Sequence, residues 1–305
     1  MTELEQNLLA IIQDAFPVEE RPYQVLAEQL GSDEQSVFAA VENLRQSGII
    51  RRIGGVYDSK ALGFISRLCA GKVTESAIEA FATAVNEIPA ITHNYQRSHE
   101  YNVWFTVIAQ SEEEIQKIVD DVCVKTDLHD VHVLLATKKF KINTVMGGTA
   151  APVIRKNSCV RSKPLSGSDR NRIRIACEDI PHSLTPFKDW GVSCDELRED
   201  LDLRRMRRFG AILRHQEAGF ADNAMVCFNT TNGGDILAQK PYISHCYERP
   251  AFEGFPYTLY AMMHAQSAEE LDRQIKEAAE SIGNPDYVVL RSVRELKKTS
   301  FKFFV

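Results

Sequence analysis

The first sixty residues carry apolar side chains at helical spacing in three short stretches. An apolar residue recurs every three or four positions, which predicts helices over residues 4–14, 23–30 and 32–46. Gly31 separates the second helix from the third, Ser32 is the expected N-cap of the third, and Gly48 is its expected stop. A short strand-like segment follows. The order predicts a winged helix-turn-helix over residues 1–60.

After residue 60 the pattern alternates between the two-residue period of strands and the period of helices. Strands are predicted over residues 62–73, 90–97, 101–109 and 130–140, and helices over residues 75–87 and 111–122. This βαββαβ order is that of a ferredoxin-like module, assigned to residues 61–147. The predicted fold class is therefore α+β.

An internal repeat indicates that this unit occurs twice. The phrase R-R-I-G-G-V-Y-D-S-K-A-L-G-F at 51–64 corresponds to R-R-F-G-A-I-L-R-H-Q-E-A-G-F at 207–220. Two further blocks keep the same order and offset, 101–111 with 257–267 and 130–135 with 286–291. The remaining chain is predicted to comprise a linker rich in small, polar and proline residues over 148–169, a degenerate helix-turn-helix over 170–213, and a second βαββαβ module over 214–305.

The second helix-turn-helix is predicted to be shorter than the first. Gly31 precedes Arg51 by 20 positions, whereas Gly191 precedes Arg207 by 16. Because an α-helix has about 3.6 residues per turn, the second recognition helix is expected to have lost about one turn.

Composition narrows the class of protein. The chain has 305 residues, 44% hydrophobic and 26% charged, which is enough for two domains with cores of their own. No apolar run approaches the roughly 18 residues of a membrane span and the N-terminus is acidic, so a cytoplasmic protein with no membrane partner is expected. Seven cysteines without a C-x-x-C pair predict reduced thiols. A net charge of -6 excludes a general electrostatic attraction to DNA.

A polar motif, His-x-Tyr-x-Arg, occurs once in each half. Its residues are His93, Tyr95 and Arg97 in the first half, and His245, Tyr247 and Arg249 in the second. Alternate positions share one face of an extended strand, so each motif predicts a polar row on one side of a sheet. The second copy is followed by a four-residue insertion within P-A-F-E-G-F-P.

A winged helix followed by βαββαβ resembles the Lrp/AsnC family. The phrases T-H-N-Y-Q-R and S-H-C-Y-E-R-P, together with the two arginine-glycine phrases above, are similar to the two subunits of the siroheme decarboxylase family, here fused. The resemblance implies conversion of two acetate side chains of siroheme to methyls, giving 12,18-didecarboxysiroheme, without an organic cofactor. It also implies an intramolecular pseudo-dimer. Service to the heme or the heme d1 pathway and further homo-oligomerisation are left open.

Siroheme carries eight carboxylates, so the resemblance implies a pocket with several cations. Arginine pairs with carboxylates in a bidentate manner. The candidate substrate-binding residues are Arg51, Arg52, His93, Tyr95 and Arg97 in the first half and Arg207, Arg208, Arg214 and Arg249 in the second. Asp58 and Ser59 stand in the first half where the second half has Arg214 and His215. This difference favours a working site in the second half, with the first half as its structural counterpart.

Decarboxylation leaves an electron pair that a protonated ring can accept, so a general acid is needed. Histidine is the side chain best matched to this task near neutral pH. The candidate catalytic residues are His245 and His215, with Tyr247 as a hydrogen-bonding partner. Axial ligation of the substrate iron is the alternative role of either histidine, and no other metal site is predicted. Candidate apolar walls are Phe209, Phe252, Phe255, Tyr257 and Tyr260, with core packing as the alternative, favoured for Tyr260.

Two other functions are possible. The Lrp/AsnC resemblance also fits a transcription regulator, but the recognition helix over 32–46 has three acidic residues against Arg45 alone. A net charge of -2 on that helix would repel phosphate, so DNA is not the expected partner. The third hypothesis is a tetrapyrrole carrier that binds siroheme without changing it.

Overall fold

The computed structural model describes residues 1–126, 128–142, 164–213 and 222–304. It divides into two compact units, and each combines segments from both halves of the chain. Unit 1 comprises residues 1–64, 155–217 and 302–305, and unit 2 comprises residues 65–154 and 218–301. Within the described ranges, no helix has both the length and the apolar character needed to cross a membrane.

Unit 1 contains the two helix-turn-helix copies. The first consists of α1 (Glu3–Ile12), α2 (Pro22–Leu30), α3 (Glu34–Gln46) and strand β1 (Ile50–Tyr57). The three predicted helices are confirmed, but the predicted N-cap Ser32 is wrong: the cap of α3 is Asp33. The Asp33 carboxylate accepts a hydrogen bond from the Ser36 amide at 2.9 Å, which satisfies a donor at the start of the helix. Gly31 ends α2 with a left-handed backbone, which glycine adopts without strain.

The second copy consists of α6 (Gly167–Ala176), α7 (Pro186–Trp190), α8 (Cys194–Asp202) and β7 (Met206–Leu213). Helix α8 has 9 residues where α3 has 13, which confirms the predicted loss of about one turn. Helix α6 begins inside the range assigned to the linker, and residues 148–163 of that range lie outside the described residues.

Strands β1 and β7 pair antiparallel, with Gly54 opposite Gly210. A Cβ at Gly54 would collide with the carbonyl oxygen of Glu178, and one at Gly210 would lie 2.6 Å from that of Ile12. Each strand therefore passes directly over the end of a helix, where a larger residue does not fit. The expected wing is thus a ribbon to which both halves contribute one strand.

A buried charged network joins the two copies within unit 1. Asp200 on α8 is fully buried. Its carboxylate accepts hydrogen bonds from Tyr57 Oη at 2.9 Å, from Arg172 at 3.1 Å and from Arg205 at 3.5 Å. Two buried guanidinium groups thus share the Asp200 carboxylate, and Arg172 also pairs with Asp169 at 2.9 Å.

Unit 2 contains both βαββαβ modules. The first consists of β2 (Ile65–Gly71), a 3-10 turn (Glu75–Ala77) that leads into α4 (Ile78–Asn86), β3 (Ile91–Arg97), β4 (Val103–Ala109), α5 (Glu112–Thr126), β5 (Val131–Leu134) and β6 (Lys138–Ile142). The second consists of β8 (Asp222–Phe228), α9 (Gly234–Gln239), β9 (Ile243–Glu248), β10 (Leu259–Ala265), α10 (Ala268–Ser281) and β11 (Tyr287–Lys298). The α+β class with two tandem modules is confirmed.

The final segment of each module is shared between the two modules. The described strands of unit 2 form one antiparallel sheet in the order β5-β2-β4-β3-β11-β8-β10-β9-β6. Strand β5 pairs with β2 of its own module, whereas β6 pairs with β9 of the other. Strand β11 does both: residues 287–291 pair with β8, and residues 292–298 pair with β3.

The prediction of one strand over residues 130–140 is therefore wrong, since β5 ends at Leu134 and β6 begins at Lys138. Residues 135–137 carry the chain from one module's edge to the other's. A segment's own alternation does not specify which edge it will pair with, because both edges accept the same backbone hydrogen bonds.

Among the described residues of unit 2, three apolar clusters form the core. One lies beneath the helices of each module. The third combines side chains of both modules, including Trp104 and Leu134 from the first and Cys227, Tyr260 and Leu290 from the second. The strands of each module are thus apolar on both faces: one face packs against that module's own helices and the other against the other module.

Candidate active site

The two His-x-Tyr-x-Arg motifs lie on corresponding strands of unit 2, β3 and β9. Tyr95 lies opposite Trp104, and Tyr247 lies opposite Tyr260. Trp104 and Tyr260 both belong to the cluster between the modules. The predicted row on one face is therefore confirmed, and this face is directed towards the other module.

A β-bulge determines which face of β3 the histidine occupies. The register shifts between Ile91 and His93, so that Thr92 is an extra residue and His93 lies opposite Thr106. Without the extra residue His93 would lie opposite Phe105, which belongs to the helix-facing core. The bulge thus moves an imidazole out of the apolar core and onto the face between the modules.

The same device operates on β9, where the extra residue is Ser244 and His245 lies opposite Met262. Both extra residues carry a hydroxyl, and both hydroxyls lie 2.9 Å from Nδ1 of the following histidine. Each imidazole is therefore held through Nδ1, which fixes the plane of its ring.

The rings of each motif form a short stack. The centroids of His93 and Tyr95 are 6.4 Å apart with an interplanar angle of 23°, and those of His245 and Tyr247 are 6.2 Å apart at 17°. In both copies the arginine lies over the tyrosine ring, with its guanidinium carbon 5.2 Å from the centroid. This cation–π contact orients the tyrosine.

The arginines of the two motifs reach across the module boundary. Arg97 donates to the carbonyl oxygen of Leu290 at 3.0 Å and to Ser292 Oγ at 3.1 Å. Arg249 donates to the carbonyl oxygen of Leu134 at 2.7 Å. Burial lowers the pKa of Arg97 to about 10 and also lowers the pKa of Arg249. Both predicted carboxylate ligands therefore bind main-chain carbonyls of the opposite module, Arg97 one on β11 and Arg249 one on β5.

His245 lies in a more elaborate environment than His93. The hydroxyl of Ser244 lies 2.9 Å from Nδ1 of His245 and also 2.8 Å from Nε2 of His264 on β10. Burial, with smaller contributions from His93 and Lys141, lowers the pKa of His245 to about 4. The two motif histidines, 152 positions apart, are thus close enough to interact electrostatically.

Sequence reasoning missed Ser244 and His264. A signal was present, because the repeat aligns His264 with Ile108, an unexplained exchange of an aliphatic residue for an imidazole. Only the bulge at Ser244 shows why this exchange matters, since it places a hydroxyl between two histidines.

The two motifs also face different strands. Glu295 on β11 lies opposite Tyr95 and accepts a hydrogen bond from Tyr95 Oη at 3.2 Å. The corresponding residue opposite Tyr247 is Lys139 on β6. The exchange of a carboxylate for an ammonium group makes the surroundings of the second motif more favourable for an anion.

The arginines predicted in unit 1 differ in exposure. Arg51 is exposed, and Arg207 is 43% exposed and donates to the carbonyl oxygen of Tyr57 at 3.2 Å. Arg208 donates to the carbonyl oxygen of Gln13. Burial lowers the pKa of Arg208 and of Arg52. Arg208 therefore caps the C-terminal end of α1, where a cation favours the helix dipole.

Two predicted site residues, Arg214 and His215, lie outside the described residues.

The predicted aromatic walls fall into two groups. Phe252, Phe255, Tyr257 and Tyr260 pack in or against the cluster between the modules. Phe209 belongs to the core of unit 1, where it packs against Phe187.

Matches to family models cover both parts of each copy. The model of the AsnC-like ligand binding domain matches residues 61–141 and 217–297. The model of the siroheme decarboxylase NirDL-like HTH domain matches residues 5–51.

Known proteins of similar sequence agree with these matches. A siroheme decarboxylase of Hydrogenobacter thermophilus is 31% identical over 98% of this chain and 94% of its own length. A siroheme decarboxylase alpha subunit of Desulfovibrio desulfuricans is 46% identical over 47% of this chain and 82% of its own length. The crystal structure of the siroheme decarboxylase NirDL in complex with an iron-uroporphyrin III analogue matches with a TM-score of 0.77 and 27% identity, covering 99% of this chain and 95% of that one. The chain therefore belongs to the siroheme decarboxylase family.

Proposed function

We propose that the chain converts two acetate side chains of siroheme to methyl groups, giving 12,18-didecarboxysiroheme, without an organic cofactor. The observation that carries this proposal is the full-length match to siroheme decarboxylases, one of which is solved with an iron-uroporphyrin III analogue. That match extends over both modules and both helix-turn-helix copies, so it concerns the whole architecture.

The reaction requires a proton donor and no oxidant. In each step the bond between the acetate methylene and its carboxylate breaks and carbon dioxide leaves. The electron pair of that bond ends in a new C–H bond, so each acetate consumes one proton. The conjugated ring of the substrate can hold the electron pair in the meantime if one of its carbons has been protonated. The macrocycle then performs the task for which other decarboxylases use an organic cofactor.

His245 is proposed as the donor. With its pKa lowered to about 4, the imidazole is neutral at pH 7 in the substrate-free protein. A bound substrate with several carboxylates would stabilise the imidazolium and raise this pKa again. Substrate binding would therefore protonate His245, and the ring stacked on Tyr247 would keep its orientation. His215 is proposed as the second candidate for the general acid.

Arginines are proposed to hold the carboxylates that remain. A cation on the departing carboxylate would stabilise the ground state and raise the barrier, because that charge disperses into the ring. Arg51 and Arg207 have exposed side chains suited to binding a ligand. Arg97 and Arg249 are instead proposed to set the distance between the modules, given their bonds to main-chain carbonyls.

Anaerobic incubation with siroheme, followed by mass spectrometry, tests the proposal. Loss of two carbon dioxide molecules is expected, and unchanged bound siroheme would instead identify a carrier. The variant His245→Asn should abolish turnover, whereas His93→Asn should cost less, with His182→Asn, exposed in unit 1, as the control. A variant His93→Asn that is more damaging than His245→Asn would refute the assignment of the second motif as the acid.

Iron ligation is the alternative role of His245 and has a separate signature. If the imidazole binds the substrate iron, His245→Asn should change the visible spectrum of bound siroheme at once. If the imidazole is the acid, this variant should bind siroheme with an unaltered spectrum and fail to turn it over.

The lack of exposed cations on the recognition helix α3 argues against the rival function of a DNA-binding regulator. The exposed residues of α3 are Gln35, Ser36, Ala39, Asn43 and Gln46, all uncharged. Arg45 is 7% exposed and bound to Asp179 at 3.1 Å. A helix that presents no cation to phosphate is poorly suited to DNA. Sequence-specific electrophoretic shifts at low salt would overturn this conclusion.

A further inference from the structure

We propose that His264 is a positioning residue that delivers protons to His245 through the hydroxyl of Ser244. The inference rests on the proposed function, since it assumes that His245 is the acid. It adds two residues to the reaction and explains why only one of the two motifs would be supplied with protons.

The three groups form a continuous chain. Ser244 Oγ lies 2.9 Å from His245 Nδ1 and 2.8 Å from His264 Nε2, both within the range of strong hydrogen bonds. Ser244 is 8% exposed, so water has little access to the central hydroxyl. The bulge provides this arrangement, because the extra residue on β9 turns its side chain towards β10.

A serine hydroxyl has one proton and two lone pairs, so the chain has two arrangements. In one, the hydroxyl donates to His245 Nδ1 and accepts from His264 Nε2, which leaves the proton of His245 on Nε2. In the other, both hydrogen bonds reverse and the proton of His245 lies on Nδ1. Passing from the first arrangement to the second moves a proton from one imidazole towards the other without moving any heavy atom.

The first motif has the hydroxyl but lacks the second imidazole. Thr92 Oγ1 lies 2.9 Å from His93 Nδ1, as in the second motif. The residue in the place of His264 is Ile108, whose side chain cannot exchange a proton. A hydroxyl beside Nδ1 of the histidine is thus common to both motifs, whereas an imidazole on the far side of that hydroxyl occurs in the second motif and is replaced by Ile108 in the first. This difference points to a role of His264 beyond holding the ring of His245, in the same motif as the proposed acid.

The proton transfers balance as follows. A protonated His264 gives the proton on Nε2 to Ser244 Oγ, the hydroxyl gives its own proton to His245 Nδ1, and His245 gives the proton on Nε2 to the substrate carbon. Both imidazoles are then neutral, and the substrate has gained the one proton that each lost carbon dioxide requires. Before the second acetate reacts, the chain returns to its first arrangement: the proton of His245 moves from Nδ1 to Nε2, the Ser244 hydroxyl turns back towards Nδ1, and His264 takes a proton from solvent on Nε2. His245 itself never becomes an anion.

Kinetics of four variants test the relay. The variants His264→Gln and Ser244→Ala should lower kcat for siroheme by roughly 100-fold, the lower end of the range for a positioned proton donor, with KM changed by less than about 3-fold. Ser244→Thr keeps the hydroxyl, as Thr92 does in the first motif, and should recover most of the kcat lost in Ser244→Ala. Ile108→Val is the matched control at the corresponding position and should keep the kcat of the unchanged protein.

The outcomes separate the relay from the function on which it rests. No decarboxylation by the unchanged protein, or full activity of His245→Asn, would overturn the proposed function and the relay with it. Full activity of His264→Gln, together with an inactive His245→Asn, would overturn the relay alone. A rise in KM without a fall in kcat would likewise overturn it, because it would show a role in binding and not in proton transfer.

Discussion

Replacement of His245 should change how the stability of unit 2 depends on pH. The pKa of His245 is lowered from 6.5 to about 4 by burial, with smaller contributions from His93 and Lys141. The folded protein therefore binds this proton less tightly than the unfolded chain does, and acid favours unfolding. The contribution of His245 to stability is fully present above pH 6.5 and is lost as the pH falls through about 4.

The magnitude follows from the two pKa values. The shift from 6.5 to about 4 corresponds to about 3 kcal/mol in the free energy of unfolding, of which about 2 kcal/mol is lost between pH 7 and pH 5. This loss is a large fraction of the 5–15 kcal/mol that is typical of a domain, so it should be measurable as a change in the free energy of unfolding.

Urea unfolding at pH 7, 6 and 5 provides the assay. Trp104 is buried between the modules and reports on unit 2 when the second tryptophan is removed by Trp190→Phe. In the Trp190→Phe background, the free energy of unfolding should fall by about 2 kcal/mol more between pH 7 and pH 5 when His245 is present than in the variant His245→Asn. Met262→Leu, which alters the residue opposite His245 and no titratable group, should keep the full pH dependence. Equal losses with and without His245 would refute the reasoning.

Two further predictions concern unit 1. Asp200→Ala should lower the free energy of unfolding by about 3–5 kcal/mol, because it removes the buried carboxylate that two buried arginines share. The exposed Asp195→Ala should have little effect in the same urea experiment. Gly54→Ala should lower the melting temperature and reduce the free energy of unfolding by about 1–3 kcal/mol, since the added Cβ would collide with a backbone carbonyl. Gly167→Ala is the control, because Gly167 has open space around it. Equal melting temperatures for the two variants would contradict the close approach at Gly54.

The repeat and the periodicity of this chain determined its architecture without the structure. Three sequence blocks that recur in the same order with one common offset show two tandem copies, and the helix and strand periods identify each copy as a helix-turn-helix followed by βαββαβ. These properties are local, because hydrophobic periodicity reports the secondary structure of the segment that carries it. The alternation of His245 and Tyr247 was predictable for the same reason.

The pairing of segments across the copies could be decided only by the tertiary structure. The alternation of residues 130–140 is compatible with one strand, and the division into β5 and β6 depends on an edge of the other module that lies more than a hundred residues away. The face of the sheet to which His93 and His245 belong depends on one extra residue in each strand, Thr92 and Ser244. A one-residue shift moves side chains to the opposite face without altering the sequence pattern.

The same reason explains what sequence reasoning missed in the candidate site. His264 and Ser244 are 20 positions apart on neighbouring strands, and their contact depends on the bulge between them. Sequence could show that the halves differ in charge and in their histidines. Which of these residues share a proton is a matter of strand register, and register is set by packing between segments distant in the chain.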